Sequence, residues 1–393
     1  MSFSPSAFSR LLEPLNRRDL DRCVAAHGGN HGVSAEGWTC QRHLKTMLFA
    51  QFAGLGSLRE IDQALSGQPR ALYHLGLLAP RRSTLSDALA KRPAEVFRDV
   101  AVALIGQASR QLRGGANALV QLIDASPIPL RDLRFTWAEQ ESRVRGLKLH
   151  IGYDPRADMP DWAEITSAKV SDITVGRTIS IDPGTTYVFD KGYLDFGWWQ
   201  RIDAAGAVFV SRLKRNTKVR SREPNTPIGD GILSDATVRI GQTIPRGRAR
   251  NPLQGTDLRE ITVEREGKTP LTLITNDHDR PASEIAALYK ERWQIELLFK
   301  WIKQNLKIKS FLGRSENAVK AQIYAALIAY LLLRLLRQTA AAMHKGSPKT
   351  LIARLKIALL ASLNFSNNPK PPPKHPRNRS PTPQFNLDLR CTA

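Results

Sequence analysis

Two short apolar runs, each ending in an aspartate, constrain the fold more than any other feature of this chain. The first, "ALVQLID", ends at Asp124 and precedes two prolines; the second, "TTYVFD", ends at Asp190 and precedes a glycine. Short apolar runs bounded by turn residues are typical of buried strands. The second run leads through a helical pattern, "LDFGWWQRIDAAG", into a third run, "AVFVSRL", which predicts a β-α-β unit. We therefore expect an α/β fold in which two buried strands each end at a carboxylate.

Other stretches predict the remaining elements. "LKLHIGYD" (147–154) and "DWAEITSAK" (161–169) predict two strands joined by a turn. Between 213 and 280, basic clusters alternate with strand patterns such as "REITVERE" and "LTLITN", which predicts a β-rich insertion. In the N-terminal part, "SLREIDQAL" and "RRSTLSDALAKRP" predict two short helices. These two helices fit either a helix-turn-helix DNA reader or a plain helical bundle.

With 393 residues, 42% of them hydrophobic, the chain is long enough for two or three domains with a full core. The proline-rich, basic C-terminal end predicts disorder. The expected organisation is a helical N-terminal DNA-binding region at 1–110, an α/β core at 111–212 and 281–345, the β-rich insertion at 213–280, a C-terminal helix at 346–363 and a Pro/Lys-rich disordered tail at 364–393.

The charge balance indicates a polyanionic partner. The 58 Lys and Arg residues outnumber the 36 Asp and Glu residues, for a net charge of +22, which favours nucleic acid or an anionic membrane surface. The most apolar stretch, "AALIAYLLLRLLR", is interrupted by Arg334 and Arg337, so it predicts a buried helix and no membrane partner. Three cysteines and the absence of a signal-peptide pattern predict a reducing compartment, the cytoplasm.

The stretch "YKERWQIELLFKWIKQNLKI" (289–308) predicts one continuous helix, because it contains strong helix formers and neither proline nor glycine. At roughly 100° per residue, Tyr289, Arg292, Glu296 and Lys303 fall in one stripe about 60° wide that borders the apolar face. One interpretation is a solvated edge with an Arg292–Glu296 pair at i,i+4. The other is a site for phosphate and metal chemistry.

Three acidic residues support the second interpretation. Adjacent strands can bring Asp124 and Asp190 together, and a helix packed on the sheet can add Glu296. Three unpaired carboxylates would repel one another, and divalent cations would relieve that repulsion. Oxygen ligands without cysteine suit Mg²⁺ or Mn²⁺, and two such ions about 3.5–4 Å apart would hold both oxygens of a phosphodiester displacement. Singly, each aspartate is more often a turn residue, and His150 is more often a core histidine.

The combined motifs resemble a known family. Tyr289-x2-Arg292-x3-Glu296-x6-Lys303 resembles the YREK signature of bacterial insertion-sequence transposases of the DDE class. "DKGY" (190–193) resembles their second-aspartate motif, and Asp124 fits their first-aspartate strand. The order of strand, strand, β insertion and helix is also theirs. The resemblance extends from the helical N-terminal region to about residue 340, whereas the proline-rich tail differs from the short helical ends of the family.

The resemblance implies a ribonuclease H-like catalytic core interrupted by a β domain. It implies cut-and-paste transposition from terminal inverted repeats into target DNA. It also implies that the protein acts as a homodimer in the synaptic complex, and that it is located in the bacterial cytoplasm and associated with the nucleoid when bound to DNA. The metal ligands would be Asp124, Asp190 and Glu296, and the residues that hold DNA phosphates would be Tyr289, Arg292 and Lys303.

Two further groups of residues are predicted to contact DNA. Family members can release the element through a DNA hairpin, which suggests an aromatic side chain that holds an unstacked base. Trp293 is one candidate and Trp198 and Trp199 are others, with core packing as the alternative for each. The basic clusters "KRNTKVRSR" (214–222) and "RGRAR" (246–250) are expected to touch the DNA backbone. From these clusters we select Lys214, Arg215 and Arg248.

Three functions remain open at this point. The leading one is a metal-dependent DNA transposase, and the others are a catalytically inactive DNA-binding relative that acts as a regulator and a metal-dependent endonuclease without strand transfer. The presence of all three acidic residues favours an enzyme. The basic insertion and the N-terminal region favour an end-specific transposase over a simple nuclease. Short inverted repeats flanking the coding DNA would discriminate among them.

Overall fold

The computed structural model describes residues 7–66, 72, 75–112, 119–130, 132–138, 145–213, 217, 219–225, 231–241, 251–306, 308 and 310–340. In these ranges the helices are α1 (Ala7–Leu12), α2 (Arg17–Ala26), α3 (Cys40–Ala53), α4 (Leu58–Ser66), α5 (Arg82–Lys91), α6 (Ala94–Leu112), α7 (Asp172–Gly176), α8 (Phe196–Ala204), α9 (Ala282–Glu291), α10 (Trp293–Asn305) and α11 (Glu316–Ala340). The strands are β1 (Val120–Pro129), β2 (Gly146–Asp154), β3 (Met159–Ser167), β4 (Thr186–Phe189), β5 (Val208–Arg212), β6 (Val219–Pro224), β7 (Ile232–Ile240), β8 (Leu258–Val263) and β9 (Leu271–Thr275).

The strands form one sheet in the order β3-β2-β1-β4-β5-β9-β8-β7-β6. Strand β1 is parallel to β4, and β4 is parallel to β5. Strand β2 is antiparallel to both of its neighbours, β1 and β3. The β4-α8-β5 segment is the predicted β-α-β unit. Because both faces of β4 are covered, all four of its residues are buried, as its apolar sequence requires. The expected mixed α/β fold is confirmed.

The strands of the insertion extend this sheet and do not form a separate one. Strand β9 pairs antiparallel with β5, with Val210 opposite Thr275, and β8, β7 and β6 follow outward. Arg259 and Asp235 form a buried ion pair between β7 and β8, with 2.6 Å between Nη2 and Oδ2. The segment is therefore β-rich as expected, but hydrogen bonds join it to the core sheet.

Helix α11 lies at the centre of the helical layer. It packs against α6, α3 and α5, so the N-terminal helices and the catalytic part share one hydrophobic core. Within the described chain, α11 is long and apolar enough to cross a membrane, but 89% of its apolar window is buried inside the protein. This agrees with the prediction of a buried helix. A second hydrophobic cluster, built around Trp198, Trp199 and Phe189, covers the other face of the sheet with α8.

One prediction about the helices is wrong in detail. The stretch 289–308 is not one helix: α9 ends at Glu291 and α10 begins at Trp293. The amide of Arg292 donates to the carbonyl of Tyr289, and the amide of Ile295 donates to that of Arg292, so this turn is tighter than an α-helical turn. The segment between α4 and α5 includes 67–71 and 73–74, which lie outside the described residues, so the choice between a helix-turn-helix and a helical bundle stays a prediction. Residues 346–363 and 364–393 lie outside the described residues.

Candidate active site

The two aspartates lie side by side on adjacent parallel strands. Asp190 directly follows β4, as predicted, but the predicted end of the first strand at Asp124 is wrong, because pairing with β2 continues β1 as far as Pro129. Ile123 of β1 is in register with Phe189 of β4, so the next residues, Asp124 and Asp190, follow side by side. Oδ1 of Asp124 accepts a hydrogen bond from the amide of Ala125 at 2.8 Å. Oδ1 of Asp190 accepts one from the amide of Gly192 at 2.5 Å and so caps the 3₁₀ turn at Lys191–Tyr193. Local hydrogen bonds therefore fix both carboxylates, that of Asp124 within β1 and that of Asp190 at the end of β4.

Helix α10 lies over β1 and supplies the third acid. Nη1 of Arg292 is 3.2 Å from Oδ2 of Asp124, and Nη2 of Arg292 is 2.6 Å from Oε1 of Glu296. One guanidinium thus joins an acid of the sheet to an acid of the helix. At the other end of α10, Nζ of Lys303 donates to Oγ of Ser126 at 2.7 Å. The polar edge of the helix is therefore fixed along the strand that contains Asp124.

The electrostatics show that the acids influence one another. Burial raises the pKa of Asp124 to about 6, and the negative charges of Asp190 and Glu296 add to that effect. The amide of Ala125 and the guanidinium of Arg292 act in the opposite direction. Since the pKa remains raised despite Arg292, the charge of the Asp124 carboxylate is not fully compensated. Such a perturbed acid in a cleft is typical of functional sites.

Tyr289 supports Arg292 from within the protein. The guanidinium carbon of Arg292 is 5.7 Å from the centre of the Tyr289 ring, which is a cation–π distance. Tyr289 itself is only 7% exposed. The structure therefore brings Arg292, Glu296 and Lys303 to the surface of the site along β1, whereas Tyr289 is buried on α9, which packs on β4 and β5, and contacts Arg292.

A cavity of about 420 Å³ adjoins these groups, and its lining includes Asp124, Ser126, Glu296 and Lys303. The donor set around it consists of carboxylate oxygens with uncompensated charge, which is the chemistry that Mg²⁺ and Mn²⁺ prefer. In the described part of the chain, no three His, Cys, Asp or Glu side chains converge as a metal-binding group. Arg292 is the cation that joins Asp124 and Glu296 in this arrangement. The residues fit divalent ions chemically, provided that Arg292 withdraws.

The other predicted contact residues divide into three groups. Trp198 and Trp199 are 1% and 0% exposed within the second hydrophobic cluster, so core packing accounts for both. Trp293, at the start of α10, is 59% exposed. Lys214, Arg215 and Arg248 lie outside the described residues.

His150 is a core histidine, as the sequence favoured. It is fully buried, its Nε2 lies 2.9 Å from Oγ1 of Thr166, and burial lowers its pKa to about 4. Sequence reasoning missed Ser126, although it follows Asp124 by two residues and therefore lies on the same face of the strand. It also missed Asp172, which is held by Lys148 at 2.8 Å and lies close to Gly192. No local pattern singles out Asp172, because chain reversal brings it there.

Acids side by side on adjacent parallel strands, faced by an arginine and a lysine at the two ends of a helix, define a site for chemistry on phosphodiesters. Comparisons with known proteins agree. The family profile described as "Transposase DDE domain" matches residues 116–332, more than half of the chain, and a "Domain of unknown function (DUF4372)" matches residues 4–78. The chain belongs to the DDE transposase family.

Two relatives named as transposases lead to the same family, and one solved structure is a weaker likeness. A Sinorhizobium fredii protein named as transposase y4zB is 45% identical over 77% of this chain and 84% of that protein. A Geobacillus stearothermophilus protein, named as the transposase of insertion sequence element IS5377, is 26% identical over 69% of this chain and 68% of that protein. A solved piggyBac transposase synaptic complex with hairpin DNA aligns over 94% of this chain and 83% of that chain, at 9% identity and a TM-score of 0.46. The expected function, a transposase enzyme of an insertion sequence, is confirmed.

Proposed function

We propose that this transposase binds the terminal inverted repeats of its element and catalyses metal-dependent strand cleavage and transfer into target DNA by a cut-and-paste route. The observation that supports this most is the joining of Asp124 to Glu296 through Arg292, next to Asp190. Three acids, of which Asp124 has a raised pKa, and two cationic side chains, Arg292 and Lys303, are thereby concentrated at one place on the sheet. We infer a ribonuclease H-like core from the order β3-β2-β1-β4-β5, with three antiparallel strands followed by two parallel ones.

In this proposal Asp124, Asp190 and Glu296 hold two Mg²⁺ ions, with Mn²⁺ as an alternative. When bound, such ions polarise the phosphodiester and stabilise the attacking and leaving oxygens. The contribution of the chain is to fix the ligands. Hydrogen bonds from Ala125 and Gly192 orient the two aspartates, and α10 presents Glu296 over β1.

Arg292 has two successive roles. In the DNA-free protein it pairs with both Asp124 and Glu296 and compensates part of their charge. A DNA phosphate offers the same guanidinium two oxygens in the parallel geometry that arginine binds best. Arrival of the DNA end therefore transfers Arg292 from the acids to a phosphate and opens the carboxylates to divalent ions. Lys303, now on Ser126, binds the same strand as a point charge.

Cleavage adds water across a P–O bond and leaves a 3′-hydroxyl. In the hairpin route, that hydroxyl attacks the opposite strand and displaces its flanking DNA. The exposed Trp293 is then the candidate side chain for an unstacked base, since stacking requires an accessible ring. The remaining assignments follow the same route: a homodimer in the synaptic complex, DNA contacts by the N-terminal helices and by Lys214, Arg215 and Arg248, and action in the bacterial cytoplasm at the nucleoid.

The test is cleavage of a plasmid with the inverted repeats of the element, in Mg²⁺ and in Mn²⁺. Alanine at Asp124, Asp190 or Glu296 is expected to abolish cleavage while end binding stays largely intact, because cationic contacts to phosphates supply most of the affinity. Glu266→Ala, in the exposed turn between β8 and β9, is the matched control. Wild-type protein that binds these ends and never cuts them would instead support the regulator. Cleavage without joining to target DNA would support the nuclease.

A further inference from the structure

A second cavity, of about 740 Å³, adjoins the active site and is not used by the chemistry described above. We call it the arginine groove and define it by Arg134, Arg314, Lys303, Phe135 and Phe311. Its volume lies within the range of about 300–1,000 Å³ that is typical of ligand sites.

The arginine groove is continuous with the active site. Lys303 lines both cavities. Strand β1, which contains Asp124 and Ser126, continues into the groove, where Ile128 and Pro129 form part of its wall. At about 3.3 Å per residue, Pro129 lies roughly 16 Å along the strand from Asp124. A polymer bound at the acids can therefore extend into the groove without a gap.

The charge of the groove suits a polyanion. Three of its side chains, Arg134, Arg314 and Lys303, are cationic, against one acid, Asp132. Nε and Nη2 of Arg134 donate hydrogen bonds to the carboxylate of Asp132, and this ion pair orients the guanidinium. Nη1 of Arg134 does not take part in the ion pair. Arg314 is exposed on the opposite wall.

The walls are held together by aromatic contacts. The rings of Phe135 and Phe311 meet edge to face at 6.1 Å, and Trp137 packs edge to face on Phe135. Nε1 of Trp137 donates to the carbonyl of Arg314 at 2.6 Å, which joins the segment after β1 to the segment after α10. The groove therefore exists before any ligand binds.

Cations interleaved with aromatic rings distinguish a single strand from a duplex. A duplex presents its phosphates and hides the base faces, so cations alone suffice for it, whereas an unpaired strand offers bases that stack on rings. The C-terminal stretch 341–393 of the chain is a poor occupant, since it is strongly basic and Asp388 is its one acidic residue.

We propose that the arginine groove binds a single-stranded stretch of DNA that continues from the reactive phosphate. Arg134 and Arg314 contact successive phosphates, and Phe311 stacks with a base. This assignment rests on the proposed placement of the DNA end at Asp124.

The experiment compares two labelled probes: a blunt duplex, and the same duplex with a short oligothymidine extension on one or the other strand. Binding to the full chain is followed by fluorescence anisotropy over a range of salt concentrations. We expect the Arg134→Gln/Arg314→Gln protein to lose affinity for the extended probe only, with the salt slope of log K reduced by about 1.4, or 0.7 for each lost phosphate contact. Phe311→Leu, which keeps an apolar side chain, should weaken binding of the extended probe at least about fivefold.

The matched control is Arg201→Gln, an exposed arginine on α8, for which neither probe should bind differently. Thermal unfolding shows whether each variant is folded. If Phe311→Leu does not fold, the Arg134→Gln/Arg314→Gln protein is sufficient by itself to test the proposal. Equal losses on both probes would mean contact with duplex backbone, and unchanged binding would mean that DNA does not enter the groove; either result overturns the proposal. If the groove binds the extension but wild-type protein does not cut the element ends, the proposed function is refuted, whereas the proposal that the arginine groove binds single-stranded DNA is upheld.

Discussion

Replacing Asp124 by asparagine is expected to stabilise the metal-free protein at neutral pH while it removes cleavage. Burial and the neighbouring acids raise the pKa of Asp124 from 3.8 to about 6. The folded protein therefore binds this proton more tightly than the unfolded chain does. It follows that the free energy of unfolding decreases as the pH rises from about 3.8 to about 6, and stays lower above that range. Asparagine does not titrate and has no such loss.

The magnitude follows from the two pKa values. A tenfold change in an ionisation constant is worth about 1.4 kcal/mol, so the shift to about 6 corresponds to about 3 kcal/mol at pH 7. The stabilising Arg292 contact is already included, because it opposes the shift in the same carboxyl group. The expected difference between the asparagine variant and the wild type is therefore small at pH 4 and reaches about 3 kcal/mol at pH 7.

Urea unfolding between pH 4 and pH 8, in a chelating buffer, measures this difference. Asp87→Asn, at an exposed position on α5, is the control and should follow the wild type throughout. A difference that does not vary with pH would refute the claim that Asp124 is held at a desolvated, acid-rich position. A wild type that is more stable than the asparagine variant above pH 6 would show that the Arg292 contact outweighs burial.

Three other predictions concern separate parts of the molecule. Arg292→Lys keeps the charge but loses the paired hydrogen bonds, so single-turnover cleavage of a pre-bound end should fall while the fold is kept; unchanged cleavage, with at most about 0.5 kcal/mol of destabilisation, would mean that Arg292 only pairs with Glu296. Trp199→Ala should lower the free energy of unfolding by about 3–5 kcal/mol, whereas Trp293→Ala should change it by less than about 0.5 kcal/mol and impair only hairpin formation. Denaturant unfolding and a hairpin assay distinguish the two variants, and a loss of stability in Trp293→Ala would contradict the exposure of Trp293. Lys214→Ala and Arg248→Ala should each reduce the salt slope of log K for DNA by about one, and a titration in which both retain the wild-type slope would exclude phosphate contacts there.

Much of the site was determined by the sequence, because its parts are local patterns. Apolar runs of strand length that end in turn residues predict β1 and β4 without reference to the rest of the chain. A helical pattern between β4 and β5 predicts the parallel crossover. Once both strands are placed side by side in one parallel sheet, Asp124 and Asp190 can lie next to each other, but the sequence did not show that β1 continues past Asp124 to Pro129. The spacing from Glu296 to Lys303 likewise predicts that these two side chains share one edge of α10, because helical periodicity is also local.

Only the tertiary structure decided how these parts meet. Arg292 contacts Asp124, which is 168 positions away in the sequence. Arg292 lies in a tight turn between two helices, and the sequence did not predict this turn because the stretch contains neither glycine nor proline. Strand β9 completes the open edge of β5, so the insertion lengthens the core sheet, although its composition suggested a separate unit. The physical reason is the same in each case. Local conformational preferences determine whether a segment has helical or strand periodicity. The element that it packs against depends on distant parts of the chain, because packing must bury apolar surface and pair the free hydrogen-bonding groups of strand edges.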